Sequence, residues 1–349
     1  MTGSEILIAN IELKTLVSDI FVAANVEADN AERWAEILVW ANLRGVDSHG
    51  VLRVPRYVEQ LDEGSINPRP VLNVERKNGA VSVVDADHAP GPVGMCFAMD
   101  QAIECATKHH LGWCVVRNTT HTGAIGYYAL QAARQGLAAI VMTASSPLMA
   151  YPGTTVPTVS TNPLAIAVPG GEHPPLLLDM SSAVGGRGKI LRAIENKESV
   201  PADWGLDSQG KRTTDPNEVV TLLPLGGAKG AGLSLMIECF TSLMAGNPLI
   251  EPVLIGRKHN GRPMNGLAVA VDIAQFTDPD QFRSQVDALA SVITSLPKAS
   301  GIDQIFAPGE RGDAILAERT LTGIPLPSGT WTKLESLATR FAIPLPEVS

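Results

Sequence analysis

Residues 44–57, "RGVDSHGVLRVPRY", put a serine and a histidine in a tight connection between two helix-like runs, with a guanidinium and a phenol close behind. Residues four apart share a helix face, so a helix starting near Gly50 stacks Arg53 and Tyr57 on one side, with His49 at its mouth. Arginine there suits two-pronged capture of a carboxylate, and an imidazole suits proton transfer near neutral pH. A capped helix with a solvated arginine and a hydrogen-bonded histidine fits the same spacing.

A second histidine stands in "NTTHTGAIGYYALQAA", where His121 follows a strand-like run and precedes a helix whose start contains Gly123. The amides and dipole of that helix start favour a neutral imidazole or a nearby anion. In "LLLDMSSAVGGRGKI" a buried strand ends on Asp179, and glycines follow with Arg187 and Lys189. Glycines let a backbone approach a ligand closely, and the cations suit phosphate. This is not a P-loop, because the first glycine is missing and Ile190 stands where Ser or Thr would hold a metal. "LPLGGAKGAGLSLM" repeats the theme with Lys229, and "APGERGD" is a third glycine-containing turn. Flexible loops that merely cap helices explain these glycines as well. His88, His109, His110, His173 and His259 fall in surface loops or helix ends and receive no role.

These residues need elements to hold them. Leu13, Leu16, Ile20 and Ala24 recur at helical spacing, and Asp29 offers an N-cap for a second helix that runs to Gly45. A third helix is expected over 51–63, with Pro55 in its first turn. After the linker-like "INPRP", strand and helix patterns alternate. Strands are expected at "AVSVVDAD", "GWCVVRN", "LAAIVMTA", "PLAIAVPG", "PLLLDMS" and "GLAVAVDI", with helices over 100–109, 124–135, 229–245 and 280–295. The closing segment from "GDAILAERT" returns to helical pattern. The fold class is therefore α/β (α+β): a helical domain from both chain ends, 1–70 with 310–349, enclosing an α/β domain of 71–309.

With 349 residues, two domains are the first expectation. A net charge of -9 provides no general basic face, so neither nucleic acid nor an anionic membrane is an expected partner. Residues 1–10 lack the character of a secretion signal, and "GLAAIVMTA" is about half the roughly 18 residues a spanning helix needs. Four cysteines without a close pair read as reduced thiols, and a cytoplasmic setting follows. GxGxxG, HExxH, CxxC and GxSxG signatures are all missing, so the residues alone give no Rossmann fingerprint and no metal site.

Taken together, "RGVDSHGVLRVPRY", "HTGAIGYYALQAA", "STNPLAIAVP", "LLDMSSA", Gly188–Lys189, "VPADWGLDSQGKRTTDP", "LLPLGGAKGAGLSLM", "PGE" and "GIPLP" resemble the malate/L-lactate dehydrogenase family of the non-Rossmann type. That family includes ureidoglycolate dehydrogenase, sulfolactate dehydrogenase, 2,3-diketogulonate reductase and Δ1-piperideine-2-carboxylate reductase. The likeness covers nearly the whole chain. It implies an NAD(P)-binding domain on a mainly antiparallel or mixed sheet, a homodimer, and hydride transfer between NAD or NADP and a small 2-hydroxy/2-oxo carboxylic acid or a cyclic imino acid.

By the same resemblance, Ser48 and His49 match the active-site pair, Arg53 and Tyr57 face the substrate, and His121 matches a second histidine assigned as proton acceptor in some members. Ser145, Asp179, Met180, Ser181, Lys229, Pro308, Gly309 and Glu310 match cofactor-contacting positions, and Asn162 belongs to the substrate or nicotinamide surround. The chain departs from the family at Ser146, where an acid or another polar residue is common, and near Lys197, where a glycine is missing. Substrate identity is therefore open. Which histidine donates the proton is open too, with His49 favoured by its register beside Arg53. Two rival classes are a metal-dependent lyase or hydrolase using His49, His121 and Asp179, and a non-catalytic dinucleotide sensor.

Overall fold

A computed structural model describes residues 5–257 and 263–347, so His259 lies outside the described residues. Leu13, Leu16, Val17, Ile20 and Phe21 recur on one face of the helix Asn10–Ala23, and all five are buried. The following helix, Ala28–Leu43, turns Trp34, Ile37 and Leu38 inward. The rings of Phe21 and Trp34 stack with centroids 4.0 Å apart. Trp331, Leu334 and Ala338 of the helix Ser328–Phe341 join the same cluster from the other chain end. Each fully buried Leu, Ile, Val or Phe side chain of this cluster contributes roughly 1.5–3 kcal/mol. The strand Glu5–Ile8 also pairs antiparallel with Ile324–Pro327, which ties the two ends together.

A seven-stranded sheet fills the middle of the chain. Its order is Asn73–Asn78, Val81–Asp85, Leu111–Thr119, Met264–Val271, Ala138–Ala144, Leu164–Val168 and Leu176–Met180. Five of the six neighbouring pairs are antiparallel. Val81–Asp85 runs parallel to Leu111–Thr119, and a parallel pair needs a crossover. The helix Gly91–His109 provides it and packs small residues against the sheet. Gly112 must lack a side chain, because a Cβ there would stand 1.7 Å from the Ala102 carbonyl oxygen. A second sheet of four short strands comprises Gly205–Leu206, Thr221–Leu222, Met149–Ala150 and Pro157–Val159.

Several boundaries differ from the sequence expectation. The second helix is capped at Glu27, not Asp29. The third divides into a 3-10 turn, Val51–Arg53, and an α-helix, Val54–Asp62, with Pro55 in its first turn as expected. The helix expected over 100–109 begins at Gly91, since "GPVG" packs too closely to carry the usual apolar signal. The helix expected over 229–245 is Ala228–Glu238 followed by a π turn, Cys239–Leu243. "GIPLP" is not part of a helical run but supplies an edge strand, where proline is tolerated. Asn73–Asn78 is a mostly exposed edge strand whose polar sequence shows no burial alternation.

Candidate functional site

Register brings the chemistry-bearing segments to one end of the large sheet. Thr119 pairs with Met264, Asn265 with Ala144, Met142 with Leu164, and Leu164 with Met180. The segments holding His121, Ser145, Asn162 and Ser181 therefore leave or enter the sheet at that same end. Thr122 donates to the Thr143 hydroxyl at 3.3 Å, which joins the His121 loop to the strand that precedes Ser145.

Five residues meet there. The Tyr57 hydroxyl lies 2.7 Å from Nδ1 of His121, and the Gly123 N–H donates to that nitrogen at 3.3 Å. Two donors on Nδ1 assign the ring proton to Nε2. His49 stacks on His121 with ring centroids 5.6 Å apart. Nδ1 of His49 is 2.9 Å from the Ser48 hydroxyl. Arg53 Nε donates to the Ser48 carbonyl at 2.8 Å, which aims the guanidinium beside the turn. Among the described residues no carboxylate lies within ion-pair distance of Arg53. Tyr57, expected to face the substrate, is 2 % exposed, and its hydroxyl lies against His121.

Burial is the main cause of the electrostatics, with the Arg53 cation adding to it. His49 is pushed down to about 4 by burial and then by Arg53. His121 is held well below the usual imidazole range by burial, Arg53 and His49. Burial likewise raises the Tyr57 phenol, so it stays protonated at neutral pH. The cluster thus presents two neutral imidazoles, each with Nδ1 engaged by protein, next to an unpaired guanidinium. That set can bind an anion and exchange one proton with it.

Around the cluster the expected positions fall into groups. Asn162 is buried and committed: its Oδ1 accepts from the Ser145 N–H at 3.2 Å, and its Nδ2 donates to the Ser234 carbonyl at 3.0 Å. It positions Ser145, whose hydroxyl lies 2.6 Å from that of Ser160. Asp179 accepts from the Gly126 N–H at 2.9 Å, at the start of the helix that follows His121. Crowding by the fold pushes its carboxyl up to about 6, against the pull of Gly126 and Arg44, though the side chain keeps an open face to solvent. Met180 ends the same strand, and the Ser181 hydroxyl donates to the Thr161 carbonyl at 3.2 Å.

Two glycine-rich loops run side by side. The Leu225 N–H donates to the Ser182 carbonyl at 2.9 Å, and the Val184 N–H to the Leu223 carbonyl at 3.0 Å. Each opens a helix, Arg187–Asn196 and Ala228–Glu238. Arg187, Lys189 and Lys229 are exposed and, among the described residues, make no ion pair. Gly188 presses on the histidine turn, since a Cβ there would stand 2.5 Å from the Ser48 Cβ. The turn of Pro308, Gly309 and Glu310 is fixed by the Leu177 N–H on the Pro308 carbonyl at 2.9 Å and by Arg44 on the Gly309 carbonyl at 2.9 Å. Glu310 pairs with His173 at 2.9 Å, a partner that sequence alone left without a role. A cavity of about 460 Å³ lies beside the second glycine loop against Tyr151, Asp203 and Arg212, and neither histidine lines it. Among the described residues no group of three His, Cys, Asp or Glu side chains could hold a metal ion.

Residues 8–335 match the family model for malate/L-lactate dehydrogenase. The chain is 32% identical over 316 residues to the NAD(+) ureidoglycolate dehydrogenase of Escherichia coli O157:H7, covering 90% of each protein. It is 33% identical to the malate/(S)-sulfolactate dehydrogenase of Methanothermus fervidus, over 96% of this chain and 98% of that one. Among solved structures, the malate dehydrogenase of Entamoeba histolytica superposes with a TM-score of 0.92 at 26% identity, covering 99% of this chain and 100% of that one. The chain belongs to the malate/L-lactate dehydrogenase family, whose dehydrogenases and reductases act on hydroxy and oxo acids.

Proposed function

We propose that the chain transfers hydride between a nicotinamide dinucleotide, NAD or NADP, and a small 2-hydroxy/2-oxo carboxylic acid. The observation that carries this reading is the unpaired guanidinium of Arg53 beside two neutral histidines. Such a set recognises a carboxylate and then serves the oxygen on its neighbouring carbon.

The residues fit a dinucleotide. Gly186 and Gly227 close the two adjacent loops with free space where a side chain would stand, and three exposed cations follow them, with Lys189 over the Trp204 ring at 5.8 Å. Arg187, Lys189 and Lys229 would hold the diphosphate, and Ser145, Asp179, Met180, Ser181 and the 308–310 turn its other polar edges. When bound, the nicotinamide supplies or accepts the hydride at ring C4.

The chain's own residues do the rest. Arg53 holds the substrate carboxylate and fixes C2. His49 is the proton carrier, because the Ser48 hydroxyl can accept a hydrogen bond from its Nδ1–H in both charge states, which leaves Nε2 free to take or give a proton. In oxidation His49 takes the hydroxyl proton, and in reduction it returns one to the carbonyl oxygen. His121 cannot make that change as easily, since the Gly123 N–H points at its Nδ1. It donates a fixed hydrogen bond from Nε2 to the reacting oxygen.

We also read the two large hydrophobic clusters as two domains, 1–70 with 310–349 and 71–309. Met236, Leu243 and Met244, each about half exposed, would be covered in a homodimer. Free buried thiols at Cys96, Cys105 and Cys114 suit the cytoplasm.

A screen of NADH and NADPH oxidation against 2-oxo acids and cyclic imines tests the reading. At least one 2-oxo acid should be reduced, and Arg53→Lys should raise its KM. Binding of the reduced dinucleotides without turnover of any acid would overturn it.

A further inference from the structure

We infer that Asn42, Asp47 and Arg319 form a positioning unit that sets the pose of His49 and ties it to the helix opened by the 308–310 turn. The inference rests on the role proposed for His49. Ser48 and His49 sit on a three-residue 3-10 turn, Asp47–His49, with a second such turn, Val51–Arg53, after Gly50. Turns this short hold few internal hydrogen bonds and depend on outside support.

Asn42 grips both sides of the turn. Its Nδ2 donates to the Asp47 carboxylate at 2.7 Å, and its Oδ1 accepts the Val51 N–H at 2.8 Å. The side chain is 2 % exposed, and Gly50 makes room for it: a Cβ there would stand 2.1 Å from the Asn42 Oδ1. Arg319 arrives from the helix Glu310–Thr322, far along the chain. Its Nη1 donates to the Asp47 Oδ1 at 2.8 Å and also to the Asn42 carbonyl, while Nη2 lies 3.4 Å from the Asp47 Oδ2. The first turn of that helix is anchored to the same region, through Asp313 on Arg44 and Arg44 on the Gly309 carbonyl. One rigid helix therefore touches the histidine turn at one end and carries the 308–310 turn at the other. Asn42, Asp47 and Arg319 act through His49, so they are positioning residues and not catalytic ones.

The test uses the full chain with Asp47→Asn, Arg319→Met and the double variant, beside Arg340→Met, which breaks the exposed pair with Asp62 as a control. With the hydroxy acid that the wild type oxidises, each single variant should lose roughly 10- to 100-fold in kcat. NADH affinity, read by its fluorescence, should stay within about 2-fold. The double variant should be no worse than the poorer single one, since the two groups act as a unit, and Arg319→Lys should recover part of the loss. In ¹⁵N-imidazole spectra His49 should change from one tautomer to an averaged signal in Arg319→Met, whatever the substrate proves to be. Unchanged kcat in both single variants, additive losses in the double one, or an unaltered His49 signal would overturn the inference. A wild type that oxidises no acid in the panel would instead overturn the functional reading, and the His49 signal would still decide this one.

Discussion

The imidazoles of His49 and His121 lie face to face, with centroids 5.6 Å apart and planes 21° from parallel. At this separation each ring disfavours a charge on the other, and Arg53 disfavours both. One proton at a time is the rule for such a pair, and the geometry around each Nδ1 selects His49 to carry it.

The pH dependence follows from that. His49 in the free chain is held at about 4, so it is neutral at pH 7 and ready to accept a proton. kcat/KM for oxidation should rise as pH passes 4 and stay level through neutrality. kcat/KM for reduction draws on the protonated form and should fall by about tenfold per unit above that value. Initial rates in both directions from pH 4 to 9 check this. The same depression bears on stability: the unfolded histidine binds its proton nearer 6.5, so the fold loses stability as pH falls from there through 4. His49→Asn should flatten that part of the acid melting curve.

Tyr57→Phe keeps the buried ring and removes the hydroxyl on His121. The fold should lose only about 1 kcal/mol, the usual worth of one such bond. kcat should fall by roughly 10-fold through loss of a fixed imidazole, with KM nearly unchanged. Steady-state rates and urea unfolding on the same preparation separate the two effects.

Gly188→Ala also separates activity from stability. Alanine in the helix Arg187–Asn196 is favoured over glycine by up to about 1 kcal/mol, but its Cβ would displace the Ser48 Cβ, 2.5 Å away. Melting temperature should hold, while kcat drops by about 10-fold or more. A variant that is both stable and fully active would show that the histidine turn tolerates the push.

Asn162→Leu leaves the Ser145 N–H without its partner in the interior. A cost of about 1–3 kcal/mol in urea unfolding is expected for one buried group left unpaired, along with a weaker grip on the dinucleotide if Ser145 meets it.

Much of this site was legible in local sequence. Residues 44–57 announced a histidine turn followed by an arginine, and the rule for Pro55 put that proline in the first turn, although the α-helix starts at Val54 and not at the expected 51. The strands Leu111–Thr119 and Met264–Val271 were visible because their apolar runs are buried on both faces, and Val81–Asp85 because its burial alternates. What escaped was long-range. Arg319 and Asp47 meet across most of the chain, and nothing near either residue predicts the other. His173 read as a loop histidine because its partner Glu310 lies on another element. Tyr57 was placed on the correct face, but only the packing revealed that its hydroxyl is spent on His121. Helix 91–109 began earlier than expected because glycines that permit close packing look like loop residues in sequence.

The most direct measurement follows an isotope. The chain is incubated with [4,4-²H₂]NADH or its phosphorylated counterpart and a 2-oxo acid that it reduces, and the product is examined by mass spectrometry and NMR. Deuterium at C2 of the hydroxy acid, in one-to-one yield with oxidised dinucleotide, is the predicted result. Product formed without label at C2, or label lost to water, would contradict a hydride passed directly across the Arg53–His49 cleft.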